Sequence, residues 1–257
     1  MKTYSLSKQK NIRDLGGLVG YEGKTIKYGR LFRGGVIGRL SEEDVKVVES
    51  FHLTDIVDFR AKAEFINRPD HKFDNVRYHN LATFEHELKE DQKKHEDGNL
   101  LWFVNEGDSG FNHLLRTYRE LICLKEPQEA YRKFFKVLLS NDNNVVYFHC
   151  SQGKDRAGLA AYFIETALGV DFETIKKDYL MSNISMEDKK ASLIKQVENL
   201  PFYNETYKQD LIDVFSAKLE YLEGAIEVLN KEYGGTISFL ENVLNVNIKK
   251  LRELYLE

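Results

Sequence analysis

The chain has 257 residues, 42% of them hydrophobic and 30% charged, with a net charge of −4, which is enough sequence to bury a sizeable core. The mildly acidic balance speaks against a general binder of nucleic acid or anionic membrane, and no apolar run approaches the length of a membrane span. Two cysteines, Cys123 and Cys150, make neither a disulfide framework nor a zinc site, and the seven histidines show no metal-ligand spacing, so no metal and no cofactor is expected. The N-terminal ten residues lack the apolar centre of a signal peptide. Cytoplasm with a reduced Cys150 is therefore the default expectation, although a trimmed secretory leader would leave no trace.

Taken in order, the paired glycines of Asn11–Leu18 read as a turn, and Tyr21-Glu22-Gly23 as a hairpin loop. Leu31–Gly35 is a short strand ending in a glycine turn. Ser41-Glu-Glu-Asp44 is a capping-box-like start, followed by Val45, Val48 and Phe51 at helical spacing, with the helix ending near His52. Ile56–Phe59 is a buried-strand candidate with Arg60 just past its end. Residues 85–97 are mostly charged and read as a solvated face or loop, or as a lid over a pocket. A helical run over Phe111–Leu124 precedes another, in which Pro127 takes an early position ahead of an apolar stripe of Tyr131, Phe134, Phe135 and Leu138. Asn141–Asn144 is a turn cluster. From Asp171 the pattern is helical to the end, with Ser185 capping one helix, Ser216–Tyr233 forming another, and Thr236 and Asn247 capping two short final ones. The alternation of strands and helices before that point favours an α/β fold.

The most informative stretch is Val145–Gly158, where a β-rich apolar run meets Cys150, a short polar loop containing Gly153, and Arg156, followed by a helix-forming segment that Gly169 stops. A buried strand that feeds a tight loop ending on a helix N-terminus can hold a dianion, because loop amides and the first helical turn present unpaired donors. An arginine there can add a planar, bidentate fork. A positive environment lowers a thiol pKa, and the thiolate is the nucleophile. The local chemistry therefore points to attack by the sulfur of Cys150 on a bound phosphate. A bare Cys-x5-Arg spacing is weak, but the strand before it and the helix after it are the context this mechanism requires.

His149-Cys-Ser-Gln-Gly-Lys-Asp-Arg-Ala-Gly158 resembles the signature loop of the cysteine-dependent phosphatases. Its Gly153–Arg156 core is similar to that of the bacterial atypical tyrosine phosphatases that also act on phosphoinositides. Asn11–Gly17, Gly29–Gly35, Ile56–Arg60 and Asp178–Asn183 resemble that family's other blocks, in the family's order. The resemblance implies that Cys150 is the nucleophile forming a phosphocysteine, that Arg156 binds phosphate, and that the amides of Ser151, Gln152, Gly153, Lys154, Asp155 and Arg156 form the cradle. It further implies that Lys154 contacts phosphoinositide headgroups, that Asp155 assists catalysis, and that Asp58 and Arg60 lie near the site.

Two departures from the family pattern stand out. Ala157 occupies the position after the arginine where many relatives carry a hydroxyl that helps the thiolate leave. No Trp-Pro-Asp loop supplies a general acid, since the sole tryptophan, Trp102, is followed by Phe103. Asp155 is then the leading acid and Asp58 the runner-up, with hydrogen-bonding or ion-pairing roles as their alternatives. His149 supports the loop, tunes the thiol or is simply a satisfied buried histidine.

The expected fold is a cysteine-phosphatase-like α/β domain over residues 1–257, with a central, mostly parallel sheet flanked by helices. Residues 80–126 are a candidate helical lid or insertion, and 171–257 a helical part packed on the core. The expected activity is phosphomonoester hydrolysis on protein phosphotyrosine, with phosphoinositides as a second substrate class. A non-catalytic phospholigand-binding module and a rhodanese-type sulfur transferase are the rival readings. The partners expected are phosphorylated protein or phosphoinositide, with no nucleic acid and no stable membrane insertion.

Overall fold

The structure, a computed structural model, describes residues 1–7, 9, 11–84, 109–199 and 204–257. Its centre is a six-stranded sheet in the order β1-β2-β3-β6-β4-β5. The strands are β1 (Lys2–Tyr4), β2 (Ile12–Asp14), β3 (Leu31–Gly34), β4 (Asp55–Asp58), β5 (Arg77–Asn80) and β6 (Val146–His149). β3, β6, β4 and β5 run parallel, and β1 and β2 add an antiparallel edge. A 3-10 turn (Tyr21–Gly23) lies between β2 and β3, and α1 (Glu42–Glu49) and α2 (Lys62–Asn67) lie between β3 and β5. The later helices are α3 (Gly110–Cys123), α4 (Lys125–Leu139), α5 (Arg156–Ala167), α6 (Phe172–Glu198), α7 (Glu205–Val214), α8 (Leu219–Tyr233), α9 (Thr236–Asn242) and α10 (Ile248–Tyr255).

Strand alternation separates two apolar layers, because successive side chains point to opposite faces. Leu31, Val57, Val146 and Phe148 join the larger buried cluster, which also takes in α3, α4, α5 and the C-terminal helices. Phe32, Ile56 and Tyr147 face the other way, onto Val48 and Phe51 of the α1 region. Edge-on ring contacts of Phe59 with Phe134 (5.2 Å) and of Tyr131 with Phe163 (5.3 Å) tie β4, α4 and α5 together.

Most local expectations agree with the structure. Ser41 and Asp44 form a reciprocal capping box on α1, the predicted hairpin at 21–23 is flanked by an antiparallel bridge between Val19 and Thr25, and Gly169 follows α5 in the left-handed region. Two caps are corrected. Ser185 does not start a helix: α6 runs unbroken through it, and its hydroxyl donates to the carbonyl of Ser182, while Met186 anchors that turn in the interior. Thr236 is the first residue of α9, not its cap, and its hydroxyl is engaged by Tyr162. Most of the candidate lid, residues 85–108, lies outside the described residues. No helix among the described residues is long and apolar enough to cross a membrane.

The parallel strands finish in register. Gly34, His149, Asp58 and Asn80 stand side by side at their C-terminal ends, the edge at which open α/β sheets place their ligand crevices.

Candidate active site

Residues 150–156 leave that edge from β6 and curl back into α5. Gly153 makes the curl feasible. It has φ +72°, and a Cβ there would sit 2.3 Å from the carbonyl carbon and oxygen of Gly34, so only glycine can pass so close to β3 with this backbone. Cys150 lies at the base of the curl with 2% of its surface exposed, and Arg156 begins α5. Among the described residues, the amides of Ser151 to Arg156 donate to no protein acceptor. A run of consecutive unengaged N–H groups, leading from a thiol into a helix N-terminus, suits a tetrahedral dianion.

The loop is held from behind through its carbonyls. Asn11 donates from Nδ2 to the Gln152 carbonyl at 2.9 Å, and Arg33 donates from Nη2 to the Gly153 carbonyl at 2.9 Å. Asp178 of α6 accepts from both Arg13 and Arg33, and Ser182 lies 3.4 Å from both Asn11 and Arg13. The sequence blocks at 11–17, 29–35 and 178–183, far apart in the chain, thus converge beneath one loop. The two arginines hold the Asp178 carboxyl below its usual range against the opposing effect of burial. Glu165 of α5 shares this pocket, where burial, and then the neighbouring Asp178 charge, push its carboxyl well up.

On the open side, Glu64 of α2 accepts from Arg156 Nη1 at 2.7 Å and from Nη2 at 3.2 Å, and Ser151 Oγ donates to the same carboxylate. Burial alone would raise Glu64, but the Arg156 charge, aided by hydrogen bonds from Arg156, Ser151 and the Ala61 amide, brings it down to about 2.

Asp155 occupies the N-cap position of α5 without capping it. Its Oδ1 instead accepts from Lys154 Nζ at 2.7 Å and from the Tyr118 hydroxyl at 3.1 Å. Lys154 is only 2% exposed and also donates to the Ser216 carbonyl at 3.2 Å. Ala157 is fully buried and offers no hydroxyl to the loop.

Asp58 is engaged differently. Both its oxygens accept from Arg60, at 2.9 Å and 2.7 Å, which is the ion-pair alternative rather than a free acid. Arg60 also binds Asp70 at 3.1 Å. His149 Nε2 lies 3.1 Å from Asp70. Burial lowers the His149 imidazole, but Asp70 and Asp58 outweigh it and raise the pKa to about 8. Asp58, Asp70 and His149 bring ligand-type atoms within 4.8 Å of one another, and the cation already between the two carboxylates is the Arg60 guanidinium.

Glu64, Tyr118 and Asp70 were not singled out from the sequence. Only Glu64 carried a local signal, as the third residue of α2 whose carboxylate reaches back to the Ala61 amide. Tyr118 reads as one more apolar-face residue of α3.

Comparison with known proteins adds the family. Residues 4–257 match the model of the tyrosine phosphatase family. A protein of Cupriavidus necator assigned by name to the tyrosine-protein phosphatases is 26% identical over 260 residues, covering 96% of this chain and 85% of the relative. The triple specificity protein phosphatase PtpB of Mycobacterium tuberculosis is 24% identical over 258 residues, covering 90% of this chain and 92% of the relative.

Proposed function

The chain belongs to the tyrosine phosphatase family, and we propose that its 150–156 loop hydrolyses phosphotyrosine in protein through a phosphocysteine on Cys150. The observation that carries this reading is the set of amides from Ser151 to Arg156, unengaged by the described residues and following directly on a buried thiol. The Cys150 thiolate attacks phosphorus as the bond to the tyrosine oxygen breaks. The amides and Arg156 stabilise the equatorial oxygens. Phenolate is a poor leaving group, with a conjugate-acid pKa near ~10, so protonation by a carboxylic acid speeds its departure. Asp155 takes that role in preference to Asp58, because both oxygens of Asp58 are gripped by Arg60. Water then cleaves the S–P bond and releases phosphate. With Ala157 in place of a hydroxyl residue, Ser151, whose Oγ lies 3.4 Å from Arg156 Nη2, is the hydroxyl on the loop nearest that chemistry.

We read residues 1–257 as one such domain, supported by the larger apolar cluster, which runs without a break from the sheet into the C-terminal helices. Phosphoinositides are the second substrate class to assay. Headgroup contact by Lys154 would draw on the one Nζ hydrogen that Asp155 and the Ser216 carbonyl leave uncommitted among the described residues.

The test is a panel of phosphotyrosine peptide, phosphoserine peptide and phosphoinositide vesicles on wild type and Cys150→Ser, with acid quench to trap phosphoenzyme. Turnover of the phosphotyrosine peptide with a labelled wild-type intermediate, both lost in Cys150→Ser, is expected. Full turnover by Cys150→Ser would overturn the mechanism. Phosphate binding without turnover by wild type would favour the non-catalytic module, and persulfide formation with thiosulfate would favour sulfur transfer.

A further inference from the structure

Asp155 is the only loop carboxylate, and its two oxygens are treated differently. Oδ1 accepts from Lys154 Nζ at 2.7 Å and from the Tyr118 hydroxyl at 3.1 Å, whereas Oδ2 has no hydrogen-bond partner among the described residues. Tyr118 reaches this carboxylate from α3, a different element from the loop, and its ring is 1% exposed. Its oxygen is in turn 2.8 Å from the hydroxyl of Tyr179 on α6. Since the carboxylate of Asp155 can only accept from Tyr118, the Tyr118 oxygen is left to accept from Tyr179, so the two hydroxyls point as a relay toward Oδ1.

We propose that Tyr118 is a positioning residue for proton transfer, fixing Asp155 so that Oδ2 carries the proton to the leaving oxygen while Oδ1 is held by two donors. This rests on the reading of Asp155 as the general acid. The balance is simple. As sulfur bonds to phosphorus, the P–O bond breaks and its electron pair stays on the departing oxygen, which takes the Oδ2 proton. The negative charge left on Asp155 is delocalised onto Oδ1, where Lys154 and Tyr118 already donate. A hydrogen bond that strengthens as charge develops lowers the barrier to the transfer. Burial, followed by the neighbouring Tyr179 and Asp155, pushes the Tyr118 phenol well up, which keeps it a donor throughout the neutral range.

The charged or titratable groups facing Asp155 come from the loop and five helices: Lys154 on the loop, Arg156 on α5, Tyr118 on α3, Tyr131 on α4, Tyr179 on α6 and Tyr221 on α8. Of the tyrosines, Tyr118 alone donates to its carboxylate among the described residues.

The experiment compares phenyl phosphate, whose leaving oxygen needs a proton, with p-nitrophenyl phosphate, whose anion leaves unaided. For Tyr118→Phe, kcat on phenyl phosphate should fall roughly tenfold, as expected for one lost hydrogen bond to a developing charge. KM and the kcat on p-nitrophenyl phosphate should stay within about twofold. Removing a donor to the charged form raises an acid's pKa, so the basic limb of kcat/KM for phenyl phosphate should move to higher pH. Fluorotyrosine at position 118, a stronger donor of nearly the same shape, should move that limb to lower pH and serves where Tyr118→Phe does not fold. Equal slowing of both substrates by folded Tyr118→Phe, or an unmoved limb with fluorotyrosine, would overturn the proposal. Asp155→Asn separates the two readings. If it shows no leaving-group dependence, the assignment of the acid fails. If it shows that dependence and the Tyr118 variants do not, only the positioning role fails.

Discussion

Glu64 holds Arg156 by both ends of its fork, with Oε2 2.7 Å from Nη1 and Oε1 3.2 Å from Nη2. The contact joins α2 to the first residue of α5 across the mouth of the loop. Paired bonds to a planar guanidinium fix its orientation as well as its place. With its pKa at about 2, Glu64 stays ionised at every pH at which the enzyme would be assayed.

Glu64→Ala should therefore free the guanidinium and weaken the hold on phosphate. Misorientation of a phosphate clamp carries a loss of about ten- to a hundredfold, expected here in kcat/KM for p-nitrophenyl phosphate. The inhibition constant for inorganic phosphate should rise with it. Unchanged phosphate inhibition would show that the loop itself orients Arg156.

Two glycines with nearly the same backbone conformation should behave differently. Gly153 has φ +72° and its added Cβ would meet the Gly34 backbone at 2.3 Å, whereas Gly23 has φ +74° and open space around it. Gly23→Ala then carries only left-handed strain, on the order of 1 kcal/mol, and should leave activity unchanged. Gly153→Ala must also displace the loop, and should lose about a hundredfold or more in kcat/KM. Denaturant melts and phosphatase assays on the pair check this.

The buried charges behind the loop make opposite predictions for two acids. Asp178→Asn leaves Arg13 and Arg33 buried without their carboxylate, and removing one partner of a buried ion pair costs about 3–5 kcal/mol. Glu165 has its pKa raised by burial and by Asp178, so it takes up a proton on folding, and that contribution to stability is lost as pH rises above the unfolded carboxyl value. Glu165→Gln should match wild type near pH ~4 and be the more stable protein at neutral pH. Urea unfolding at the two pH values measures both.

His149 makes stability fall through the neutral range. Its folded pKa of about 8 lies above the ordinary value of 6.5. The stabilisation is thus complete below pH ~6.5, diminishes as pH rises through the folded value, and amounts to on the order of 2 kcal/mol. Thermal melts should show this slope in wild type and a flatter profile between those pH values in His149→Asn. A wild-type profile flat over that range would mean that Asp58 and Asp70 do not hold the imidazolium.

Much of the fold and of the candidate site is legible in the sequence. The Val145–Gly158 stretch announces strand, loop and helix through its composition, and the loop's chemistry follows from Cys150, Gly153 and Arg156 within seven positions. Local signals of this kind survive folding because they depend on neighbours along the chain: Ser41 caps α1 for the sake of Asp44, and Gly169 ends α5 through its own backbone. Where a long-range contact competes, the local reading fails. Ser185 looks like a cap, yet α6 continues through it because Met186 finds the interior.

The sequence by itself determined the identity of the loop, the order of the elements and the α/β class, all of which rest on short-range periodicity and turn chemistry. Only the tertiary structure decided which donors each acid meets. Asp58, Asp155 and Glu64 are all carboxylates near the loop, and nothing in their spacing separates them. Their partners do: Arg60 saturates Asp58, Arg156 takes Glu64, and Tyr118 with Lys154 holds a single oxygen of Asp155. Those partners come from elements up to 92 residues away along the chain. A carboxylate's chemistry is set by which donors it faces in space, and the packing of α2 and α3 against the loop supplies them.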